Sequence, residues 1–319
     1  MIVDLHCDTL MECYLGGKSL LNGNMQLNLE KLQKGGVMAQ CFAVYIPTNE
    51  LAVECKVTQE PFDYYRSCVE VYHRELAKNS STLQEARTAA DILKNWKDGK
   101  ISSILTIEDG VLLDNRLERL DELYDDGVRM IALTHDYENC IGFPHSDDPE
   151  KMAKGLKPFG IEVVRRMNEL GMIVDVSHLS EGGFYDVAKY TSKPFVASHS
   201  CARALCSRSR NLWDDMLRAL GDKGGVCGVN FCPGFLKDQS TFSKIEHVVR
   251  HMQHIRNVAG IDAIAFGSDY DGNEGVKEWG DADGLPRIVD AMQKAFTDDE
   301  IDKICWKNAL RVLKDATGD

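Results

Sequence analysis

Short apolar segments alternate with amphipathic stretches along most of the chain. Most of the apolar segments are nearly continuous in apolar residues, which is typical of parallel strands buried on both faces. The stretches between them repeat apolar residues at helical spacing. One of them, 243–260, places Ile245, Val249 and Met252 on one face and ends at Gly260, a common helix-ending residue. The predicted strands are the eight segments 2–8, 37–46, 101–108, 128–135, 172–178, 194–199, 225–231 and 263–269.

Strands that alternate with helices form βαβ units and a parallel sheet. Eight such units predict an α/β fold, a (β/α)8 barrel of the TIM type, which typically needs about 250 residues. No repeat or flexible linker divides the 319 residues. We therefore expect a single barrel domain over 1–319, with helical insertions near 47–100 and 136–158. A doubly wound open sheet is the alternative, but no GxGxxG motif follows any predicted strand.

The chain is acidic, with 37 Lys and Arg against 50 Asp and Glu and a net charge of −13. Without a basic cluster, this balance argues against a nucleic-acid partner and against electrostatic attachment to a membrane. No apolar run is long enough to span a bilayer. The eleven cysteines form no CxxC pair, and the start MIVDLHCD is unlike a signal peptide. We therefore expect reduced thiols and a cytoplasmic protein.

Titratable side chains lie at the carboxyl ends of most predicted strands. In a barrel these ends meet at one face, where active sites are built. The pattern therefore predicts an active site at that face. The side chains that six strands bring there are His6, Asp8, Glu108, His135, His178, His199 and Asp269.

Five of these residues suit metal binding. His6 and Asp8 are two positions apart on a strand, so their side chains point to the same face. Glu108 ends an apolar strand, where a carboxylate is costly unless it is paired or metal-bound, and its two oxygens can bridge two ions. With His178 and His199 the set suits two zinc ions. Each motif taken alone has an alternative to metal binding. His6 could be a buried histidine oriented by Asp8, and Glu108 could cap a helix or pair with an arginine.

Asp269 and His135 have other predicted roles. A two-metal site generates hydroxide near neutral pH, and Asp269 can then carry a proton from water to the leaving amine. A calcium loop is excluded because the twelfth position counted from Asp269 is Gly280 and not Glu. His135 can stabilise an oxyanion, and a structural histidine is the alternative.

Three histidines fall on one predicted helix, His247, His251 and His254. Their spacing can bind metal, but the HExxH glutamate is absent and apolar residues fill the other face. We expect a solvated or boundary face. Cys7, between His6 and Asp8, should point away from them into the barrel wall.

Together the motifs resemble those of the zinc-dependent membrane (renal-type) dipeptidases and their bacterial relatives. The resemblance covers nearly the whole chain and implies a distorted (β/α)8 barrel of the metal-dependent amidohydrolase type. The residues that carry it are DLHCDT (4–9), TIEDG (106–110), LTHDYEN (133–139), the stretch 155–178, PFVASHSCARALCSRSRN (194–211) and GSDYDG (267–272).

The resemblance implies two zinc ions, one bound by His6 and Asp8 and the other by His178 and His199, with Glu108 as the bridge. A metal-bridged hydroxide then attacks the peptide bond of a dipeptide. Dipeptides with a D-residue at the C-terminal position are possible substrates, and homodimers are common in the family.

For the substrate, the resemblance implies that His135 contacts the tetrahedral intermediate and that Asp269 is the catalytic aspartate. Arg210 falls at the family arginine that holds the C-terminal carboxylate of the dipeptide, a fork-to-carboxylate pairing. The segment NFCPGFL (230–236) departs from the mammalian pattern.

Two alternatives remain at this point. One is a metal-dependent phosphoesterase or nuclease on the same barrel, although such enzymes begin with HxH where this chain has HxD. The other is a non-catalytic metal-binding scaffold, which has no need of Asp269.

Overall fold

A computed structural model describes residues 1–21, 23–273 and 275–318. Its strands are β1 (Ile2–Asp4), β2 (Val37–Tyr45), β3 (Leu83–Glu85), β4 (Ile101–Glu108), β5 (Val128–Ala132), β6 (Ile173–Asp175), β7 (Val196–Ser200), β8 (Val226–Val229), β9 (Phe242–Ser243), β10 (Ile264–Phe266) and β11 (Val276–Lys277). Eight of these strands overlap the eight predicted segments, but several are shorter: β1, β6 and β10 have three residues each where seven were predicted.

Helices separate most of the strands. The α-helices are α1 (Thr9–Tyr14), α2 (Leu29–Lys34), α3 (Asn49–Glu54), α4 (Pro61–Lys78), α5 (Ala89–Lys97), α6 (Arg119–Asp125), α7 (Pro149–Met152), α8 (Pro158–Leu170), α9 (Glu181–Tyr190), α10 (Asp214–Asp222), α11 (Pro233–Leu236), α12 (Ile245–Ala259), α13 (Leu285–Met292), α14 (Asp298–Asp302) and α15 (Asn308–Thr317). Short 3₁₀ turns (Gly110–Leu113, Ile261–Ala263, Ala282–Gly284) and a π-helical segment (Lys303–Lys307) complete the elements.

The strands close into a parallel barrel in the order β1, β2, β4, β5, β6, β7, β8, β10 and back to β1. The longest pairing joins β2 to β4, from Ala39 opposite Ser102 to Tyr45 opposite Glu108. The barrel is distorted, because β1 and β10 share a single pair and β3 adds to the start of β4. The predicted (β/α)8 barrel is therefore confirmed.

Burial on both faces explains why the strands read as continuous apolar runs. Every residue of β2 and β4 is buried. Neighbouring residues point to opposite faces, so Ile104 packs in one cluster with Leu313 of α15, while Leu105 belongs to the larger core beneath the other helices. Cys7 joins that larger core, and its thiol donates a hydrogen bond to the Cys41 carbonyl. All eleven cysteines are free.

Two glycines let the barrel wall close tightly below the rim. A Cβ atom at Gly228 would lie 2.0 Å from the Ser198 carbonyl oxygen, and one at Gly267 only 1.9 Å from the same atom. A side chain at either position would force the backbone apart. This close approach fixes the backbone just before His199 and Asp269.

The two long connections differ in structure. Residues 47–100 contain α3, α4, β3 and α5, whereas residues 136–158 form mostly loop around the short α7. Among the described residues, no helix combines the length and apolarity needed to cross a membrane.

The expected solvated or boundary face is wrong for His251, which is 1% exposed. Its Nδ1 accepts the backbone N–H of Ala202 at 3.0 Å, and its Nε2 donates to the carbonyl oxygen of Leu236 at 2.9 Å. The periodicity of apolar residues could not reveal that a polar ring finds two backbone partners inside the fold. His251 therefore ties α12 to the loop after β7 and to the end of α11, while His254 stays partly exposed.

His251 makes stability depend on pH. Burial lowers its pKa from 6.5 to about 4, so the unfolded chain takes up a proton that the folded protein does not, and stability falls as pH drops through this window. The loss is at most about 3 kcal/mol. We expect the stability difference between wild type and His251→Gln, measured by urea unfolding, to be largest near neutral pH and to shrink towards about pH 4.

Ile255→Val is the matched control, because it changes a buried, uncharged residue of the same helix. Its cost of roughly 0.5–1.5 kcal/mol should not vary with pH. A pH-independent difference for His251→Gln would contradict the assignment.

Candidate active site

The residues predicted at the strand ends do lie together. His6 and Asp8 follow β1, Glu108 is the last residue of β4, and His199 lies within β7. All four are at most 4% exposed. His135, His178 and Asp269 come a few residues after β5, β6 and β10.

Glu108 lies at the centre of the cluster. Its Oε1 is 3.0 Å from Nε2 of His178, 3.3 Å from Nε2 of His199 and 3.7 Å from Nε2 of His6. His6 Nε2 is also 3.2 Å from Oδ2 of Asp8. Among the described residues, four groups of side chains could hold a metal ion. Two of them, His6 with Asp8 and His178 with His199, have Glu108 as a common member.

The cluster has an excess of buried negative charge. Burial raises the pKa of Glu108 well above its usual range, and the charge of Asp8 adds to the shift. For His6, burial alone would lower the pKa, but Asp8 and Glu108 outweigh it and raise the pKa to about 10. Among the described residues, Oδ1 of Asp8 is buried without a hydrogen-bond partner. Divalent cations supply the positive charge that these carboxylates attract, so the donor set fits a metal centre.

Two of the site residues have left-handed backbone, His178 with φ of 68° and Asp269 with φ of 60°. Both residue types enter this region more readily than most, but it still costs about 1–3 kcal/mol per residue. Such strain persists where the surrounding structure holds it, and it concentrates at functional sites. At His178 and Asp269 the left-handed backbone changes the direction of the chain after β6 and β10.

Asp269 is buried beside the ligand cluster, 4.0 Å from Nε2 of His6. Its Oδ2 accepts a hydrogen bond from Nδ2 of Asn230 at 3.0 Å. Burial and the charge of Asp8 raise the pKa of Asp269 to about 6, although His6 and Asn230 oppose the shift. A carboxyl group with this pKa can both accept and release a proton near neutral pH.

His135 packs next to the candidate ligand histidines, with its ring centroid 4.2 Å from that of His178 and the two rings tilted. Tyr45 packs edge-on against its other side at 4.9 Å. Burial lowers the pKa of His135 to about 4, so the ring is neutral near neutral pH. A neutral imidazole can donate one N–H bond to a developing oxyanion.

Arg210 is a buried cation, 5% exposed, with no carboxylate within ion-pair distance in the described parts of the chain, although Asp269 and Glu108 act on it from further away. Among the described residues, its two terminal nitrogens make long bonds of 3.3 Å, to Ser200 Oγ and to the His199 carbonyl, and its Nε has no partner. The guanidinium lies 5.4 Å from the Phe235 ring centroid. A buried guanidinium of this kind is suited to an anionic ligand group.

A cavity of about 380 Å³ opens beside these groups. Its wall combines candidate metal ligands with Arg210, Asp269 and several apolar side chains. Such a mixture of a few polar groups and apolar surface is typical of small-molecule sites. The lining residues are Asp8, Met11, Tyr45, Leu51, Cys55, Glu108, His135, Asp136, His178, Arg210, Cys232, Phe235, Asp269, Gly272 and Asn273.

Three residues near the site were missed from the sequence. Asp136 contacts His178 Nδ1 at 3.1 Å, His145 contacts Asp136 at 3.3 Å, and Asn230 contacts Asp269. Burial would raise the pKa of Asp136, but its bonds with His145 and His178 hold it well below its usual range. Asp136 directly follows His135 just after a strand, and this position could have identified it from the sequence. His145 lies within a loop, where no sequence pattern marks it.

A family model described as membrane dipeptidase, peptidase family M19, matches residues 1–318. The chain belongs to this family. It is therefore a metallodipeptidase, and the phosphoesterase and scaffold alternatives are disfavoured.

The chain is similar to a curated protein and to a solved structure. A Klebsiella pneumoniae protein, described as an uncharacterized protein in the pqqA 5′ region, is 35% identical over 268 residues, 81% of this chain and 98% of that protein. The crystal structure of dipeptidase AC, a family M19 metallopeptidase, has a TM-score of 0.89 at 26% identity and covers 100% of this chain and 99% of its own.

A metallopeptidase from Rhodobacter sphaeroides also shares the fold. Its TM-score is 0.89 at 24% identity, with 99% of both chains covered. That structure contains a phosphinate mimic of the dipeptide L-Ala-D-Ala.

Replacing Asn230 should change how activity depends on pH. Asn230→Ala removes an N–H donor from the ionised Asp269, so the pKa of Asp269 rises further. A hydrogen bond to a charged group is worth about 1.5–3 kcal/mol, which corresponds to about one pH unit or more. We expect the acid limb of the kcat/KM profile for a dipeptide to move to higher pH.

Asn308→Ala is the matched control. Asn308 is equally buried, but its amide donates to the carbonyl oxygens of Ile261 and Ile264, away from the site. It should lower thermal stability and leave the pH profile in place. An unchanged acid limb in Asn230→Ala would contradict the role of this hydrogen bond.

Proposed function

We propose that this metallodipeptidase uses two zinc ions, one bound by His6 and Asp8, the other by His178 and His199, with Glu108 shared between them. The observation that carries the proposal is the position of Glu108 Oε1, within 3.7 Å of Nε2 of three histidines. Imidazole and carboxylate ligands in open sets of this size are typical of catalytic zinc. When bound, such ions lower the pKa of water and polarise a carbonyl group.

Arg210 is proposed to select the substrate by its charge. A dipeptide carries a free carboxylate one residue beyond the scissile bond, and the buried guanidinium has no carboxylate within ion-pair distance among the described residues. A bidentate arginine–carboxylate pair would neutralise it. A longer peptide has an uncharged amide at this position, so it would leave the buried cation unpaired. Arg210 thus favours dipeptides over longer chains.

Asp269 and His135 are proposed to handle the proton and the developing negative charge. Asp269, with a pKa of about 6, takes a proton from the attacking water and returns it to the leaving amine. His135 is neutral and donates an N–H bond to the oxyanion of the tetrahedral intermediate. The close backbone approach at Gly267 holds the segment that carries Asp269, so this group needs little reorganisation.

The stereochemistry of the substrate is proposed from similarity. The Rhodobacter sphaeroides structure holds a mimic of L-Ala-D-Ala, and its barrel superposes on this chain over nearly its full length. We therefore include dipeptides with a D-residue at the C-terminal position among the substrates. Eleven free cysteines support a reducing compartment, and we place the enzyme in the cytoplasm.

The proposal is tested with metal-depleted enzyme on L-Ala-L-Ala, L-Ala-D-Ala and tri-alanine, with and without added Zn²⁺. We expect zinc to restore cleavage of the dipeptides and not of the tripeptide. Arg210→Lys should raise KM for the dipeptides, because a lysine cannot make the bidentate pair. The loss in kcat/KM should be about 10-fold or more, as for other charged hydrogen bonds.

Arg218→Lys provides the matched control, since Arg218 lies on α10 and is not among the cavity residues. It should behave as wild type. Equal cleavage of tri-alanine and the dipeptides would contradict the role of Arg210, and no dipeptide cleavage with two metals bound would contradict the dipeptidase mechanism.

A further inference from the structure

The two ring nitrogens of His178 have different surroundings. Nε2 faces the ligand cluster, 3.0 Å from Glu108 Oε1 and 3.1 Å from His199 Nε2. Nδ1 faces away, 3.1 Å from Oδ1 of Asp136. An ionised carboxylate only accepts hydrogen bonds, so Nδ1 carries the proton and Nε2 presents its lone pair to the cluster.

Asp136 is itself held in place by His145. Nε2 of His145 lies 3.3 Å from the same Oδ1, and its Nδ1 lies 3.0 Å from Ser209 Oγ. The backbone N–H of His145 also donates to the carbonyl oxygen of His178, at 2.6 Å. His145 therefore connects the loop after β5 both to His178 and to the segment that carries Arg210.

We propose that Asp136 and His145 are positioning residues that fix the ring of His178 for metal binding. This inference rests on the proposed function, in which His178 is a ligand. A carboxylate on the outer nitrogen of a histidine ligand fixes its tautomer and raises its basicity, and losing such a partner typically costs about 10–100-fold in metal affinity. His199 has a different support, because its Nδ1 lies 2.8 Å from the Ser198 hydroxyl.

A rival role for Asp136 also follows from the geometry. Atoms of His135, Asp136 and His178 lie close enough together to hold a cation of their own. Asp136 would then be a ligand of a third ion. Asp136 needs its charge both as a positioning residue and as a ligand of a third ion. The number of bound ions therefore distinguishes the two roles.

The test compares wild type with Asp136→Asn and His145→Ala, each prepared metal-free. Zinc stoichiometry and affinity are measured by competition with a chromophoric chelator. The ligand environment of the cobalt-loaded forms is compared by visible absorption spectra. We expect Asp136→Asn to keep two ions at saturation, to bind one of them about 10–100-fold more weakly, and to shift the cobalt spectrum. His145→Ala should lose affinity in the same direction, but less.

Asp214→Asn is the matched control. Asp214 forms a carboxylate–histidine pair with His254, at 2.7 Å, that touches none of the proposed ligands. It should keep the affinity and cobalt spectrum of wild type. The side chain of Asp136 is 46% exposed, so the Asn variant should fold, and thermal unfolding of the metal-free form checks this.

The outcomes are distinct. An unchanged zinc affinity and cobalt spectrum in Asp136→Asn would overturn the inference. It would also be overturned if wild type bound three ions and Asp136→Asn bound two. If Asp136→Asn does not fold, His145→Ala decides, with weaker binding supporting the inference and unchanged binding overturning it. A wild-type protein that binds no metal would overturn the proposed function itself, and with it this inference.

Discussion

The burial of the Glu108 carboxylate among three imidazoles is the constraint on which the site depends. A carboxylate at 4% exposure is costly unless positive charge or hydrogen bonds compensate it. The strand β4 delivers it to the rim, and β1, β6 and β7, elsewhere in the same barrel, deliver the histidines or the turns that carry them. The buried negative charge of the cluster, where the pKa values of Glu108 and His6 are raised, therefore favours divalent cations.

The rest of the fold keeps this arrangement rigid. Gly228 and Gly267 allow the backbone of three strands to meet at the Ser198 carbonyl, just below His199 and Asp269. His251 ties α12 to the loop after β7 and to the end of α11. The left-handed backbone at His178 and Asp269 is maintained by this surrounding structure. Packing and hydrogen bonds around the rim thus stabilise a centre that has strained backbone and buried charge.

Sequence patterns identified the barrel and the residues at its strand ends because both follow from local rules. A buried parallel strand reads as a continuous apolar run, and a His or Asp at its end interrupts that run visibly. Residues that act through a second contact leave no such mark. His145 lies in a loop without periodicity, Asn230 looks like an ordinary strand-end amide, and only the fold brings them to Asp136 and Asp269. His251 was misassigned for a related reason, since its partners are backbone groups distant in sequence.

The most direct measurement of the central claim is the crystal structure of zinc-loaded protein, with anomalous difference maps recorded on both sides of the zinc absorption edge. We predict two zinc peaks that share Glu108, one bound by His6 and Asp8 and the other by His178 and His199. A single peak, or a peak held by His135 and Asp136, would contradict the two-metal centre.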